Sequence, residues 1–205
     1  MDSEPTIFVV DDDDAVRRAI AAAGQLIGRP VRAFASAAAF LEEYDASQPG
    51  CLVLDIRMPG MTGTELQRKL LDDGIAIPVV VVSGHADVRI AVEVMTRGAV
   101  TLLEKPFRLD ELLAHLRRAL DLDAVTRART AVTAAADARL SGLTPKEWEV
   151  LEAVAAGKTN KEMAGALGLS LRAVEDRRSR LMKKVGAKSV AELVQILTRR
   201  GDATA

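Results

Sequence analysis

The sequence predicts an α/β domain, a doubly wound five-stranded parallel sheet covered by helices on both faces, followed by a smaller all-α domain of four helices. In the first 120 residues, short apolar runs alternate with longer stretches of helical period, which is typical of repeated βα units. From residue 141 onward, helix-start signatures and glycine breaks recur at short intervals instead. The chain has 205 residues, 49% of them hydrophobic, which is enough to give each of two domains a buried core.

Each predicted strand is a short run that is apolar on both faces, as buried parallel strands are. The runs are IFVV at 7–10, VRAF at 31–34, CLVL at 51–54, PVVVV at 78–82 and TLLE at 101–104. The helices predicted after them cover residues 14–26, 37–45, 63–72, 87–97 and 109–121, with Gly28 and Gly98 as stop signals after two of them. Ligands of such a sheet collect beyond the carboxyl ends of its strands.

A linker separates the two predicted domains. Residues 121–140 contain seven alanines and neither glycine nor proline, which favours a helix, but they show no sustained heptad pattern. The predicted boundaries are therefore 1–122 for the α/β domain, 123–140 for the helical linker and 141–205 for the all-α domain.

Capping signatures set the helices of the second domain. Thr144, Thr159 and Ser189 are each followed three residues later by Glu, which predicts a reciprocal capping box, and Ser170 predicts an N-cap without the Glu. The predicted helices cover residues 145–156, 160–167, 171–184 and 190–199, with Gly157, Gly168 and Gly186 at the breaks.

Charge is unevenly distributed along the chain. Residues 1–140 hold 16 Lys and Arg against 21 Asp and Glu, a net charge of −5, whereas residues 141–205 hold 12 against 8, a net charge of +4. A metal- or phosphate-handling domain joined to a nucleic-acid-binding domain would show this asymmetry, although surface composition alone can also produce it.

Composition also excludes several classes of protein. The longest apolar stretch, Ile75 to Val82, has eight residues and is interrupted by Pro78, whereas a membrane span needs roughly 18. The first residues, MDSEPTIF, lack the basic start and apolar middle of a secretory signal, so we expect a cytoplasmic protein. The single Cys51, in the apolar run CLVLD, excludes an internal disulfide framework and predicts a small buried residue.

Acidic residues follow two of the predicted strands. Asp11 and Asp12 come after the first strand and Asp55 after the third. If these strands are neighbours, the three carboxylates share a small volume at one sheet edge and destabilise the fold unless a cation joins them. Oxygen ligands select a hard ion such as Mg²⁺, so the sequence predicts a divalent metal here.

Three further residues supply groups that suit a phosphate. Ser83 ends the fourth strand and can donate its hydroxyl to a phosphoryl oxygen, and Gly84 leaves room for the group to enter. The Lys105 ammonium, after the fifth strand, can neutralise phosphoryl oxygens. Nucleophile, metal and cation are the parts that phosphoryl transfer needs.

Four motifs in order, VVDDDDAVRR, LVLDIRMPGMTG, VVVVSGHA and LLEKPF, resemble the receiver domain of two-component response regulators over residues 5 to about 122. The resemblance implies a flavodoxin-like strand order, 2-1-3-4-5. It implies that Asp55 accepts a phosphoryl group from a sensor histidine kinase, and that Ser83, Gly84 and Lys105 bind the acyl phosphate. It further implies a Mg²⁺ ion held by Asp11, Asp12, the Asp55 carboxylate and the Arg57 backbone carbonyl, and a cis Lys105–Pro106 peptide.

The chain departs from the receiver pattern at the switch position. Receivers usually place Phe or Tyr three residues before the lysine, where this chain has Leu102, and FixJ-like receivers commonly carry Asp where it has Thr101. We expect phosphate acceptance to survive, because it does not need the aromatic ring, and the coupling of phosphorylation to the receiver surface to be altered. Asp13 and Asp14 are interpreted as a helix N-cap and a first-turn charge rather than as further ligands.

The segment LTPKEWEVLEAVAAGKTNKEMAGALGLSLRAVEDRRSRLMKKVGAKSVAELV resembles the four-helix DNA-binding domain of the LuxR/NarL/FixJ group over residues 141 to about 197. A short helix capped by Thr159, a break at Gly168 and a second helix capped by Ser170 give helix-turn-helix spacing, with the later helix as the reader. Leu171, Val174, Leu181 and Val185 are expected to face the core. Trp148 fits either core or surface.

The resemblance places the DNA contacts on the two helices of this motif. Three residues fall where the family approaches base edges, namely Glu175, Asp176 and Ser179. The expected phosphate contacts are Thr159, Asn160, Lys161, Arg172, Arg177, Arg178, Arg180, Lys183 and Lys184. Family members often have His at the position of Arg177, a second departure, which is expected to alter operator preference.

These observations predict a response-regulator transcription factor of the FixJ-like type, not an enzyme beyond self-phosphotransfer and slow autodephosphorylation. Its expected partners are a sensor histidine kinase, double-stranded promoter DNA, a second copy of the chain when phosphorylated and, as a further candidate, RNA polymerase. Two alternatives stay open. One is a regulator that binds DNA without phosphorylation, motivated by Leu102; the other is a phosphatase of the haloacid dehalogenase type, motivated by Asp12-x-Asp14.

Overall fold

The structure is a computed structural model. Its N-terminal part, residues 1–127, forms one compact unit in which strands and helices alternate as predicted. The structure describes residues 4–84 and 87–201. Its elements in this unit are β1 (Thr6–Val10), α1 (Asp14–Leu26), β2 (Val31–Phe34), α2 (Ala37–Glu43), β3 (Gly50–Asp55), α3 (Gly63–Asp72), β4 (Val79–Ser83), α4 (Val88–Thr96), β5 (Thr101–Glu104) and α5 (Leu109–Leu140). All five predicted βα units are confirmed, with bounds that differ by at most a few residues except at the end of α5.

The five strands form one parallel sheet in the order β2-β1-β3-β4-β5, which confirms the predicted order. In the register of the central strands, Val10 pairs with Leu54 and Asp55 pairs with Val82. Ser83 pairs with Glu104 at the end of the next ladder. The carboxyl ends of β1, β3, β4 and β5 therefore meet at the same edge of the sheet.

Alternate residues of each strand supply two separate cores. One face of the sheet, including Phe8 and Leu54, packs with Phe40, Leu66 and Val94 from α2, α3 and α4. The other face, including Cys51, packs with residues of α1 and α5 such as Ile20 and Leu116. Cys51 is fully buried, as predicted, and burial raises the pKa of its thiol to about 12. Both faces of β1, β3 and β4 are covered, and every residue of these central strands is buried.

Helix α5 extends well beyond its predicted end at residue 121. The chain divides into two compact units, Met1–Arg127 and Ala128–Ala205, and α5 contributes to both. Asp123 is buried and accepts a hydrogen bond from the Gly50 backbone N–H at 2.8 Å. The Arg127 guanidinium donates to the Asp123 carboxylate and to three successive carbonyl oxygens in the loop before β3, those of Ala46, Ser47 and Gln48. These contacts attach residues 123–127, which were predicted as linker, to the first unit.

The second unit joins the C-terminal part of α5 to a bundle of the helices that were predicted for it. Its helices are α6 (Pro145–Ala155), α7 (Asn160–Leu167), α8 (Leu171–Val185) and α9 (Val190–Gly201). Its core contains Val150, Leu151, Met163, Val174, Leu181, Val185 and Leu193. Trp148 is half-buried beside this core, with the Arg200 guanidinium carbon 4.8 Å from the centre of its ring, a favourable cation–π arrangement.

Two details of the second unit differ from the prediction. Leu171 is 50% exposed rather than buried, because it occupies the first position of α8, at the margin of the stripe that Val174, Leu181 and Val185 form. Ser189 does accept from the Glu192 N–H, but the Glu192 carboxylate accepts from the Lys188 N–H instead of completing a capping box. Thr144 and Thr159 form the capping boxes predicted for them, and Ser170 caps α8.

Among the helices that the structure describes, none combines the length and the apolar character required to span a bilayer.

Candidate functional site

The predicted acidic pocket is centred on an ammonium between two carboxylates. Asp11, directly after β1, is fully buried, and Asp55, the last residue of β3, is 5% exposed. Lys105 Nζ donates to Asp11 Oδ2 at 2.7 Å and to Asp55 Oδ1 at 2.6 Å. Parallel strands with adjacent carboxyl ends bring these three side chains together across almost a hundred residues of sequence.

Two opposing effects act on the pKa values of Asp11 and Lys105: burial disfavours their charged forms, and the hydrogen bond between them favours those forms. Desolvation raises the pKa of Asp11 above its ordinary value, although hydrogen bonds from Lys105 and from the Asp13 N–H oppose the rise. Burial lowers the pKa of Lys105, but its hydrogen bonds to Asp11 and Asp55 outweigh burial and the pKa is raised. Lysine is thus held as the cation that phosphoryl oxygens require.

Backbone contacts fix the position of Asp55. Its Oδ2 accepts from the Arg57 backbone N–H at 2.7 Å. The Gly63 N–H, at the start of α3, donates to the Ile56 carbonyl oxygen at 2.9 Å. A methyl group at Gly63 would lie 2.0 Å from the Asp55 carbonyl oxygen, so only glycine permits this approach. Gly63 is a residue to which sequence reasoning gave no role.

The other predicted phosphate-site residues lie at the same sheet edge. Ser83 is 1% exposed, and its carbonyl oxygen accepts from the Lys105 N–H at 2.8 Å. A side chain at Gly84 would meet open space, as the predicted entry route requires. The Lys105–Pro106 peptide is cis, as predicted. Leu102 is half-buried against the α2–α4 side of the sheet. His85 lies outside the described residues.

The predicted metal ligands are only partly assembled. Asp11 and Asp55 lie together, Asp12 is exposed, and Arg57 follows β3. Within residues 4–84 and 87–201, no group of three or more His, Cys, Asp or Glu side chains is arranged to hold a metal ion. The donor chemistry nevertheless fits a hard divalent cation, because the available ligands are oxygens and two of them belong to the buried carboxylates of Asp11 and Asp55 at one sheet edge. Asp13 caps α1, as expected, and Asp14 lies in the first turn.

The predicted DNA-contact residues lie at the start of α7 and along α8, and five of them, Asn160, Glu175, Arg178, Ser179 and Lys183, line one surface of the second unit. Nine of them are exposed, namely Thr159, Lys161, Arg172, Glu175, Asp176, Ser179, Arg180, Lys183 and Lys184, whereas Asn160, Arg177 and Arg178 are half-buried. Asn160 Oδ1 accepts from Arg178 Nη1 at 2.8 Å. A concave region of about 600 Å³ on this surface is lined by both helices and by Lys188 in the turn that follows α8.

Two residues outside the predicted set hold α8 in place. Arg139, near the end of α5, donates to the carbonyl oxygens of Val185 and Gly186 at the C-terminal end of α8. This places a cation where a helix leaves its carbonyls without partners. Glu147 of α6 accepts from Lys184 Nζ at 2.7 Å. The charges of both residues were visible in the sequence, but no local pattern indicated their partners in α8.

The Glu147 contacts predict a pH-dependent contribution to stability. The hydrogen bond from Lys184, then those from the Thr144 N–H and hydroxyl, lower the pKa of Glu147 from 4.5 to about 2. Because the folded pKa is the lower one, the stabilisation is complete above pH 4.5 and is lost as the pH falls towards 2. Thermal unfolding followed by circular dichroism should therefore give a higher unfolding midpoint for wild type than for Glu147→Gln, and the difference should narrow as the pH falls through this window. Glu149→Gln, on the exposed side of α6, is the control, and a gap independent of pH would contradict the assignment.

An acidic pocket on a doubly wound sheet and a separate helix-turn-helix unit together define the class, a receiver-containing regulator. Residues 7–117 match the response regulator receiver domain family, and residues 141–197 match the luxR family of bacterial regulatory proteins. The chain belongs to the response regulators that join these two domains, and it regulates transcription as part of a two-component system. The phosphatase alternative leaves the second match unexplained.

The chain is similar to named response regulators over almost its whole length. It is 38% identical to the response regulator protein TmoT of Ectopseudomonas mendocina, over 98% of this chain and 91% of TmoT. It is 40% identical to the transcriptional regulatory protein FixJ of Azorhizobium caulinodans, over 97% and 94% of the two chains. The solved structure of the response regulator StyR superposes with a TM-score of 0.88 at 38% identity, covering 96% of this chain and 100% of that one.

Proposed function

We propose that Asp55 is the phosphoryl acceptor of this regulator, that a sensor histidine kinase is the donor, and that the phosphorylated protein binds promoter DNA as a dimer in the cytoplasm. The observation that carries the proposal is the Lys105 ammonium within hydrogen-bonding distance of both Asp11 and Asp55. It places a cation beside the acceptor carboxylate, and this cation can pair with the phosphoryl oxygens after the phosphoryl group has been transferred.

In the proposed transfer, an oxygen of the Asp55 carboxylate attacks phosphorus while the N–P bond of the kinase phosphohistidine breaks and the imidazole departs. Asp11, Asp12, Asp55 and the Arg57 carbonyl would hold Mg²⁺, which supplies charge neutralisation for the phosphoryl oxygens. Lys105 supplies a second positive charge, and the Ser83 hydroxyl donates to a phosphoryl oxygen.

An exposed apolar stripe on α4 supports the proposed dimer. Val88, Val92 and Met95 recur at helical spacing and are 81%, 60% and 46% exposed. Large apolar side chains grouped on one exposed helix face are typical of an interaction surface. A two-fold related pair would place two copies of α8 on half-sites about one helical turn apart, which requires an inverted-repeat operator. RNA polymerase is a further candidate partner of the DNA-bound form.

Beryllofluoride, a phosphoryl mimic, should tighten DNA binding and shift the protein from monomer to dimer. DNA affinity can be measured by fluorescence anisotropy on duplexes selected from random sequence, and assembly state by sedimentation velocity. We expect at least about a 10-fold gain in affinity, because pairing couples two DNA contacts. Val92→Glu should remove the gain while leaving phosphorylation intact. Equal affinities with and without the mimic would favour the alternative motivated by Leu102, a regulator that binds DNA without phosphorylation.

A further inference from the structure

Asn160 lies at the first position of α7, and its side chain reaches α8. Its Oδ1 accepts a hydrogen bond from Arg178 Nη1 at 2.8 Å. The two residues are 18 positions apart in sequence and both are half-buried, so the contact is between two helices of the motif rather than within one. The sequence had predicted each of them as a separate phosphate contact.

We infer that Asn160 is a positioning residue for Arg178, and that its contribution to DNA binding is made through the arginine rather than through a contact of its own. This inference rests on the proposed DNA-binding function of the α7–α8 surface. A guanidinium is planar and carries five N–H groups in a fixed arrangement. The hydrogen bond from Nη1 restricts the motion of the guanidinium and uses only one of its five N–H groups.

Fixing the arginine before binding favours affinity. A free arginine side chain loses rotamer freedom when DNA orders it, and that loss weakens binding. An arginine that is already held by Asn160 has lost part of that freedom in the unbound protein. Asn160 therefore acts by preorganisation.

The type of residue at position 160 also suits the surface. An Asp would accept from Arg178 more strongly, but its negative charge would face the phosphates of DNA. Asn supplies a neutral acceptor. Asn160 also competes with Glu175 for the Arg178 guanidinium. Glu175 lies three positions before Arg178 on α8, a spacing that allows an ion pair. Holding Arg178 on Asn160 keeps the guanidinium from being neutralised by that carboxylate.

The local structure makes Asn160 separable from the fold. The cap of α7 is made by Thr159 and Glu162, whose reciprocal hydrogen bonds do not involve the Asn160 side chain. Alanine has a higher helix propensity than asparagine, so Asn160→Ala should leave α7 intact. A change in DNA binding by this variant can then be assigned to the lost contact, after thermal unfolding shows that its midpoint is unchanged.

A double-mutant cycle on the full-length protein with beryllofluoride bound tests the inference. The probe is a mixed-sequence DNA duplex at low salt, with affinity measured by fluorescence anisotropy. Asn160→Ala should weaken DNA binding about 3- to 10-fold in the wild-type background, the range expected when one arginine side chain must be immobilised on binding instead of beforehand. In the Arg178→Ala background the same change should lower DNA affinity by less than about 2-fold, since the arginine that Asn160 holds is already absent. Arg180→Ala, which removes another α8 arginine, is the matched background in which the full loss should persist.

The outcomes separate this inference from the proposed function. Equal losses from Asn160→Ala in all three backgrounds would show that Asn160 contacts DNA by itself and would overturn the inference, as would no loss in the wild-type background. If Arg178→Ala binds as tightly as wild type while Arg180→Ala does not, the positioning role fails but DNA binding through α8 stands. If the wild-type protein with beryllofluoride bound does not bind the duplex, the proposed function itself fails.

Discussion

Asp55→Asn is expected to abolish phosphoryl incorporation. The amide that replaces the carboxylate is a poor nucleophile, and it also removes one of the two anions that hold the Lys105 ammonium. The remaining pair of Lys105 with the buried Asp11 should keep the fold intact, since the hydrogen bond between them does not involve residue 55. Incubation with radiolabelled acetyl phosphate and Mg²⁺, or with a phosphorylated sensor kinase, followed by gel autoradiography, measures the incorporation directly.

Asp13→Asn is the matched control for this loss. Asp13 is close in sequence to the pocket, but its side chain caps α1 by accepting from the Ala15 N–H. Asn caps helices as well as Asp does, so the variant changes a charge near the site while preserving the helix, and it should be labelled normally. Label retained by Asp55→Asn would mean that another residue accepts the phosphoryl group.

The parallel sheet could be predicted from the sequence because each strand is recognisable from its own residues. A run such as CLVL is apolar on both faces, and such a run is stable as a central parallel strand only when helices cover both sides. Once the strands were placed, the polar residues directly after them were confined to one edge. The meeting of Asp11, Asp55 and Lys105 followed from that placement, because parallel strands share a carboxyl edge.

Contacts between distant segments were not predictable in the same way. Asp123 looks like a surface residue in an alanine-rich helix, yet it is buried because the Gly50 N–H and Arg127 both bind its carboxylate. Helix propensity indicated that residues 121–140 are helical but gave no signal for this attachment. Leu171 has the spacing of the buried stripe of α8, but it is exposed because it occupies the first position of the helix, at the margin of that stripe.

Gly63→Ala is expected to destabilise the first unit and to displace the acceptor. A methyl group here would lie 2.0 Å from the Asp55 carbonyl oxygen, 2.9 Å from the Asp55 carbonyl carbon and 3.0 Å from the Ile56 Cα, all of them backbone atoms. Backbone cannot yield by a rotamer change, so α3 or the end of β3 must move. Overpacking of this kind costs about 3 kcal/mol, and urea denaturation monitored by circular dichroism measures the loss.

The effect on phosphorylation should be separable from the effect on stability. At low temperature, where the folded state of Gly63→Ala is still populated, acetyl phosphate labelling should be slower per folded molecule, because the shift at β3 moves the Asp55 carboxylate relative to Lys105. Gly84→Ala is the control for stability: its added methyl would meet open space, and its unfolding midpoint should match that of wild type. Unchanged stability in Gly63→Ala would mean that α3 can move away from β3 at little cost. Normal labelling despite a large loss of stability would mean that Asp55 keeps its position when the α3 junction shifts.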